Sequence, residues 1–383
     1  MNKKRVFIVC TLSVLCVLLF STKVKAIKYT DERKYIESTN ALAYEIQDNT
    51  VNRNKNFHIL AKITFDKPVN VNRLNKYADD LVKKAMSEEL AKTSSAGDYL
   101  KFSWDEYKKS ISGYYLYEYS KYNYYLTITY NFTYYTNYGQ EKKLDRDVKE
   151  FVEDNIDFND SNLEKISKIY NYISNNVKYN KNIGDIKYSA YSAYENKSAI
   201  CQGYSTLLYK MLKEADIDNV RIVRSSTHSW NIVKIGDKYY HLDSTWEATT
   251  KKKGDYNYFL KGSNEIKKLN NHKVHSEYKT KKFKKSYPIS DKDYMKVKVT
   301  KIKNVGKNKI KVKWKVNSYC DGYILEYSTN KRFKNAKSIR IDNKYKKSKT
   351  IGNLKDNKKY YIRIRTYKDN DFFAWIGKKT INI

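Results

Sequence analysis

From Tyr122 to Tyr134 the chain alternates without a break. Tyr122, Tyr124, Leu126, Ile128, Tyr130, Phe132 and Tyr134 share one parity, and the residues between them are mostly polar. A period of two over so long a run is a strand with one buried face. Its register is tightly constrained, because a one-residue slip would turn the whole apolar set to water. Phe57, Ile59, Ala61, Ile63 and Phe65 repeat the pattern, whereas Leu74, Ala78, Leu81, Val82, Ala85 and Met86, within Val71–Leu90, have helical spacing. Residues 27–55 are polar and weakly patterned and read as a loose lead-in. The stretch 27–140 is therefore expected to be a small α+β region of unassigned role. Its Tyr-rich part, 114–138, could serve as a stacking platform, but amphipathic rings on one sheet face are the expectation.

From residue 141 the pattern becomes helical. Ser161 stands as an N-cap before Leu163, Ile166, Ile169, Tyr170, Ile173 and Val177. Cys201–Ala215 reads as a second helix with Tyr204, Leu207, Leu208, Met211 and Leu212 inward, followed by two strands at about 219–234 and 237–243. Lys279–Lys285 and Pro288 mark a linker, 286–294. Residues 295–383 read as all-β, with Ile310, Val312, Trp314 and Val316 alternating, and Tyr360, Ile362 and Ile364 likewise. Leu354 lies six residues before Tyr360, the spacing of a tyrosine corner, in which the phenol bonds back to upstream backbone. Together with Gly322, Tyr323, Tyr327 and Trp375, this set resembles a fibronectin type III domain and implies a two-sheet sandwich.

The first 26 residues read as an address. Lys3, Lys4 and Arg5 precede an uncharged run, Val6–Phe20, and Val24-Lys25-Ala26 offers small residues to a signal peptidase. The run falls short of the ~20 apolar residues a bilayer span needs, so a cleaved export signal is expected, with a retained anchor as the alternative. Of four cysteines, Cys10 and Cys16 would leave with it, and Cys201 and Cys320 would remain. Two distant cysteines do not make a disulfide framework.

Lys and Arg outnumber Asp and Glu by 76 to 42, a net +34. Residues 291–383 alone carry 27 basic against 8 acidic side chains, a net +19. Such a field suits anionic cell-surface polymers. Nucleic acid is not expected as a partner, because the lysines are scattered and no groove-reading motif is present.

Three segments carry chemistry. Ser198-Ala199-Ile200-Cys201-Gln202-Gly203-Tyr204 opens a helix, Thr227-His228-Ser229-Trp230-Asn231 lies in a strand pattern, and Tyr239-Tyr240-His241-Leu242-Asp243-Ser244-Thr245-Trp246 ends the next strand. A thiol attacks a carbonyl as thiolate, which a helix N-terminus and a neighbouring imidazole favour. The imidazole in turn needs a carboxylate to fix its tautomer. A tight turn at Gly236-Asp237 would bring His228 and Asp243 side by side. His241 shares Asp243's strand face and is the rival base. Trp230 and Trp246 are expected in the core or the cleft wall, and Cys320 is expected to be inert. His272 and His275 could suggest a metal, but a solvated loop is expected.

These segments resemble the transglutaminase-like superfamily of papain-type thiol enzymes, in its exported bacterial branch, over about 140–275. Tyr191-Ser192-Ala193-Tyr194, Tyr256-Asn257-Tyr258-Phe259 and His272 also sit where such domains carry similar residues. The resemblance implies Cys201 as nucleophile, His228 as base and Asp243 as orienter, with no cofactor. Ser229 stands where Ala is usual, and Thr227 where Gly is common. The fold expected is thus α+β: residues 27–140, a papain-like catalytic domain at 141–285, and a β-sandwich at 295–383. The expected function is that of a secreted enzyme, with possible attachment to the cell wall, acting on peptide or side-chain amides through a thioester. The backbone N–H of Cys201 is the natural first oxyanion donor, with Gln202 or Tyr191 as candidates for a second. A non-catalytic adhesion protein is the alternative.

Overall fold

The computed structural model describes residues 8–10, 35–86, 97–250, 256–269, 272–294, 296–317, 320–368, 371–373 and 375–383. The chain divides into two compact units, Met1–Lys143 and Leu144–Ile383. Most of the expected leader lies outside the described residues, as do the last four residues of the expected helix Val71–Leu90. Among the described residues no helix is long and apolar enough to cross a membrane.

The first unit is a four-stranded antiparallel sheet with helices against one face. Its elements are β1 (Ile8–Cys10), α1 (Thr39–Val51), β2 (Asn56–Phe65), α2 (Val71–Lys84), α3 (Gly97–Lys101), β3 (Trp104–Glu118) and β4 (Lys121–Tyr134), in the order β1-β3-β4-β2. The alternating run is the central strand β4. Its Ile128 pairs with Ile59 of β2 and Ile111 of β3. Tyr124, Leu126, Ile128, Tyr130 and Phe132 are buried with Leu74, Ala78 and Val82 of α2. About half of the rings in 114–138 lie in or against this core, whereas Tyr114 stacks on Tyr125 and Tyr35 meets Tyr125 edge-on, Tyr125 having the opposite parity in β4. The loose lead-in expected over 27–55 is instead largely helical from Thr39. Ser38 caps α1, and Leu42, Ala43, Ile46 and Thr50 are buried. Its stripe is hard to read because Thr50 belongs to it, returning its hydroxyl to Ile46 O at 2.8 Å.

α4 (Tyr138–Asn155) leads into the second unit, which continues with α5 (Asn162–Asn176), β5 (Lys178–Tyr179), α6 (Ala190–Glu195), β6 (Ser198–Ala199), α7 (Cys201–Glu214), β7 (Val220–Arg224), β8 (Ser229–Ile235), β9 (Lys238–Leu242) and α8 (Ser244–Thr249). Ser161 caps α5 in a complete capping box with Glu164. α5 and α7 pack together, and α7 lies against the antiparallel sheet β7-β8-β9. The single strand expected over 219–234 is two strands, because Ser225 turns the chain: its N–H donates to His228 O, and its hydroxyl accepts from His228 N–H. The expected linker 286–294 follows the outer edge of β9, where Tyr239 N–H donates to Pro288 O and Ser290 N–H to Tyr239 O. An edge so covered cannot pair with another chain.

The C-terminal part is a sandwich. β10 (Val299–Gly306), β11 (Lys309–Trp314) and β14 (Ser348–Ile351) form one sheet. β12 (Gly322–Ser328), β13 (Lys337–Ile341), β15 (Lys359–Lys368), β16 (Asp371–Phe372) and β17 (Lys379–Asn382) form the other, in the order β13-β12-β15-β16 with β17 also on β15. Between the sheets lie Ile310, Val312, Trp314, Tyr323, Leu325, Ile362 and Ile364. The tyrosine corner is present: Lys355 N–H donates to Tyr360 Oη at 2.9 Å.

Candidate active site

Cys201 is the first residue of α7, following the N-cap Ile200, so its N–H is one of the free donors of a helix start. The helix can begin there because residue 203 is glycine. A Cβ on Gly203 would stand 2.7 Å from Ala199 Cβ, 2.8 Å from Ser189 O and 2.9 Å from Lys187 O. The Cys-Gln-Gly order is thus a packing requirement: the glycine lets the first turn seat against the preceding segment.

The partners come from the sheet. β8 and β9 pair Asn231 with Leu242 across the turn at Gly236, which has φ +62°. His228, just before β8, and Asp243, just after β9, therefore meet as the sequence predicts, with His228 Nε2 2.6 Å from Asp243 Oδ2. Cys201 is a near neighbour of the same imidazole, since its thiol contributes to the raised His228 pKa. With Nε2 occupied by Asp243, Nδ1 is the nitrogen left to face the thiol. Two bonds join α7 to β8 beside this pair: Ser205 and Ser229 hydroxyls at 2.7 Å, and Asn231 Nδ2 to Ser205 O at 3.0 Å. Ser229, where the resemblance leads one to expect Ala, thus has a buried partner.

Asp243 has no exposed surface, and every polar group it owns is engaged. Its Oδ1 caps α8 by accepting from Trp246 N–H, its own N–H donates to Tyr258 O, and its carbonyl accepts from Tyr170 Oη. Burial alone would raise its pKa, but hydrogen bonds from His228 and His272 outweigh this and hold it at about 2. Burial likewise pulls His228 down, yet the bonds and charges of Asp243 and Cys201 win and raise it to about 9. His241 is deeply buried beside His272 and is lowered to about 3. Its Nδ1 accepts from Trp230 Nε1 at 2.9 Å, so the rival base has its lone pair committed elsewhere.

The expectation for His272 is overturned. It lies in no solvated loop: it is 2% exposed, and its Nε2 is 2.6 Å from the same Asp243 Oδ2 that holds His228. The cause is tertiary, since the rings of Trp230 and Trp246 each enclose it at 4.7 Å. No local pattern marks such a residue in a Lys- and Asn-rich stretch. His275 is half exposed and pairs with Glu277. His228, Asp243 and His272 offer ligand atoms within 4.8 Å of one another. Two ligands of one tetrahedral zinc stand about 3.3 Å apart, so contacts of 2.6 Å are hydrogen bonds and suit proton sharing rather than a common ion. Trp230 is in the core, and half-buried Trp246 flanks His228 at 6.0 Å, both as expected. Gln202 follows Cys201 in α7, and Tyr191 lies in α6, each half-buried. Cys320 is buried, its thiol donates to Asn317 O, and burial pushes its pKa up.

Residues 149–244 match the family model of the transglutaminase-like superfamily core, which includes Cys201, His228 and Asp243 and stops short of His272. No curated protein matches the chain. Among solved structures, the FN1–FN3 domains of chicken CNTN1 are similar at 22% identity and a TM-score of 0.21, over 24% of this chain and 32% of that one. A two-domain fibronectin type III segment of chicken tenascin is similar at 15% identity and a TM-score of 0.20, over 23% of this chain and 47% of that one. The chain thus spans about a third of the CNTN1 chain and about half of the tenascin segment. Residues 149–244 are thus similar to the transglutaminase-like superfamily core.

Proposed function

We propose that the transglutaminase-like domain is a thiol acyl-transfer enzyme acting on peptide or side-chain amides. One observation carries this reading: Cys201, at a helix start, meets an imidazole whose other nitrogen is bound to a buried carboxylate. In this reading the Cys201 proton passes to His228, and the sulfur bonds to the amide carbon. The resulting oxyanion is met by the backbone N–H of Cys201. His228 returns the proton to the departing nitrogen, the C–N bond breaks, and a thioester remains. Water or an amine, deprotonated by His228, then attacks the thioester and restores the thiol. Half-exposed Cys201 is open to water at ~55 M, so hydrolysis is favoured over transfer unless an acceptor site excludes it. We also place the enzyme outside the cell, its mature chain starting at Ile27, which N-terminal sequencing of protein from culture supernatant tests.

Iodoacetamide near neutral pH tests the chemistry. Cys201 is expected to react much faster than Cys320, which burial makes the weaker nucleophile. His228→Ala should slow Cys201, Asp243→Ala should slow it less, and His241→Ala should change little. Cys201→Ala should abolish amide turnover. An added primary amine then separates the outcomes: its incorporation means transfer, and product release without it means hydrolysis. Equal labelling of both cysteines, indifferent to His228→Ala, would leave Cys201 a structural residue.

A further inference from the structure

Asp243 does not need His272 to stay in place. Its backbone is held at both ends by Tyr258 O and Tyr170 Oη, and its Oδ1 by the first turn of α8. Yet a second imidazole is brought to the oxygen already bound to His228. The His272 side chain has no exposed surface, and its Nδ1 has no hydrogen-bond partner. An unpaired acceptor is tolerable there, whereas an N–H at that position would be a buried unpaired donor on a cation. The groups around it argue the same way. Among the described residues Asp243 is the anion it touches, and the histidines His228 and His241 stand close, with Cys201 beyond His228 and Tyr258 beyond Asp243. His272 therefore presents Nε2 to Oδ2 as a donor and leaves Nδ1 without a hydrogen-bond partner.

We propose that His272 is a positioning residue of the Cys201–His228–Asp243 unit, a second donor that shares Asp243 Oδ2 with His228 and so sets how tightly the carboxylate holds the His228 proton. This rests on the reading of Cys201 as nucleophile. A carboxylate oxygen that serves two donors has less charge for either. With His272 present, His228 is held firmly enough to fix its tautomer but can still give its proton to a departing amine. Without it, Asp243 serves His228 alone at Oδ2, and the imidazolium persists to higher pH.

The test is the pH dependence of Cys201 alkylation by iodoacetamide in the full chain. The alkaline limb reports loss of the imidazolium beside the thiolate. His272→Leu should move that limb upward, by on the order of half a pH unit, and slow amide turnover more than alkylation. His272→Gln, whose amide nitrogen reaches the Nε2 position, should restore both. His272→Asn, polar but too short to reach, should behave as His272→Leu and carries the test if the leucine variant does not fold. An alkaline limb that stays in place or moves down in the variants lacking the donor overturns the proposal. So does a glutamine variant that matches the leucine one, since packing alone would then explain both. Ring-nitrogen NMR of the wild type should show a proton on His272 Nε2; an Nε2 without a proton overturns it too. The two readings fail separately. A wild-type Cys201 no faster than Cys320 removes the enzyme reading, whereas a fast Cys201 with an unmoved limb removes only the role of His272.

Discussion

The hydroxyls of Ser205 and Ser229 lie 2.7 Å apart and join the helix that starts at Cys201 to the strand that follows His228. Both side chains are buried, and Ser205 Oγ also donates to Gln202 O at 3.1 Å, so losing Ser205 leaves the Ser229 hydroxyl unpaired, whereas losing Ser229 leaves Ser205 a partner. Ser205→Ala should cost about 1–2 kcal/mol and Ser229→Ala less, and both should slow Cys201 alkylation. The double substitution should cost clearly less than the two together. Urea melts of the four proteins check this, and additive losses would mean the hydroxyls act independently.

Stability should peak near pH 6.5. The folded His228 value of about 9 lies above its ordinary 6.5, so its contribution is complete below 6.5 and is lost as pH rises through 9. His241, at about 3, works the other way: the unfolded chain takes up a proton that the folded one refuses, so stability falls from pH 6.5 toward 3. Asp243, at about 2 against an ordinary 3.8, adds a loss only in stronger acid. His241→Asn keeps an acceptor for Trp230 and removes the titration, so it should flatten the acid limb and spare the alkaline one. Thermal midpoints from pH 4 to 9 test this, and an acid limb as steep in the variant would clear His241 of the effect.

The legible parts of this chain are those in which local periodicity and tertiary packing agree. β4 and α5 are long, and their buried faces consist of residues that look buried. The meeting of His228 and Asp243 is also readable, because a hairpin with Gly236 at its turn fixes which residues face each other. α1 is obscured by Thr50, a core residue by virtue of its own backbone bond. The turn at Ser225 is obscured because the polar stretch Arg224–Ser229 between the two strands holds no Gly or Pro to mark it. His272 is the least legible, because nothing within ten residues explains its burial; two tryptophans and a carboxylate from other elements do.

Gly203 is a sharp test of how the thiol is placed. Its missing Cβ is what admits Ala199, Ser189 O and Lys187 O to the first turn of α7. Two of these neighbours are backbone atoms and cannot simply rotate away. Gly203→Ala should therefore cost about 1–3 kcal/mol and, by pushing the helix start outward, slow Cys201 alkylation even below the melting transition. Unchanged alkylation in the folded variant would show that the turn absorbs the methyl without moving the sulfur.

The sandwich is built into the second unit by Phe373, which is fully buried and stands 5.7 Å from Phe259 and 6.3 Å from Tyr256, ring to ring. Lys296 adds a bond to Tyr256 O at 2.8 Å, and burial lowers its pKa to about 8. Phe373→Ala should cost about 3 kcal/mol and uncouple the two parts. Calorimetry should show the second unit melting in one transition in the wild type and in two in the variant. A single wild-type transition that Phe373→Ala merely lowers, without splitting, would place the coupling elsewhere.

The last prediction concerns charge on the outer sheet of the sandwich. Register sets Lys301 opposite Lys313 and Lys303 opposite Lys311, and Lys309 continues the row, all exposed. No acidic residue occurs in β10, β11 or β14. Like charges directly opposed across strands cost about 0.2–1 kcal/mol per pair, and here no carboxylate on the same sheet offsets the cost. A linear polyanion would offset it, since alternate residues of a strand repeat about every 6.8 Å, close enough for successive lysines to meet successive charges. Retention of the full chain on isolated cell walls should therefore fall steeply between 0.05 and ~1 M salt, as the Debye length shrinks to about 3 Å. Changing the five lysines to glutamine should remove most of that retention, and it should leave the fold as stable or slightly more so, because the cross-strand repulsion goes with the charge. Five glutamines elsewhere in the sandwich, at Lys331, Lys334, Lys346, Lys355 and Lys358, provide the control. If they reduce retention as much, net charge and not this face is what the wall attracts.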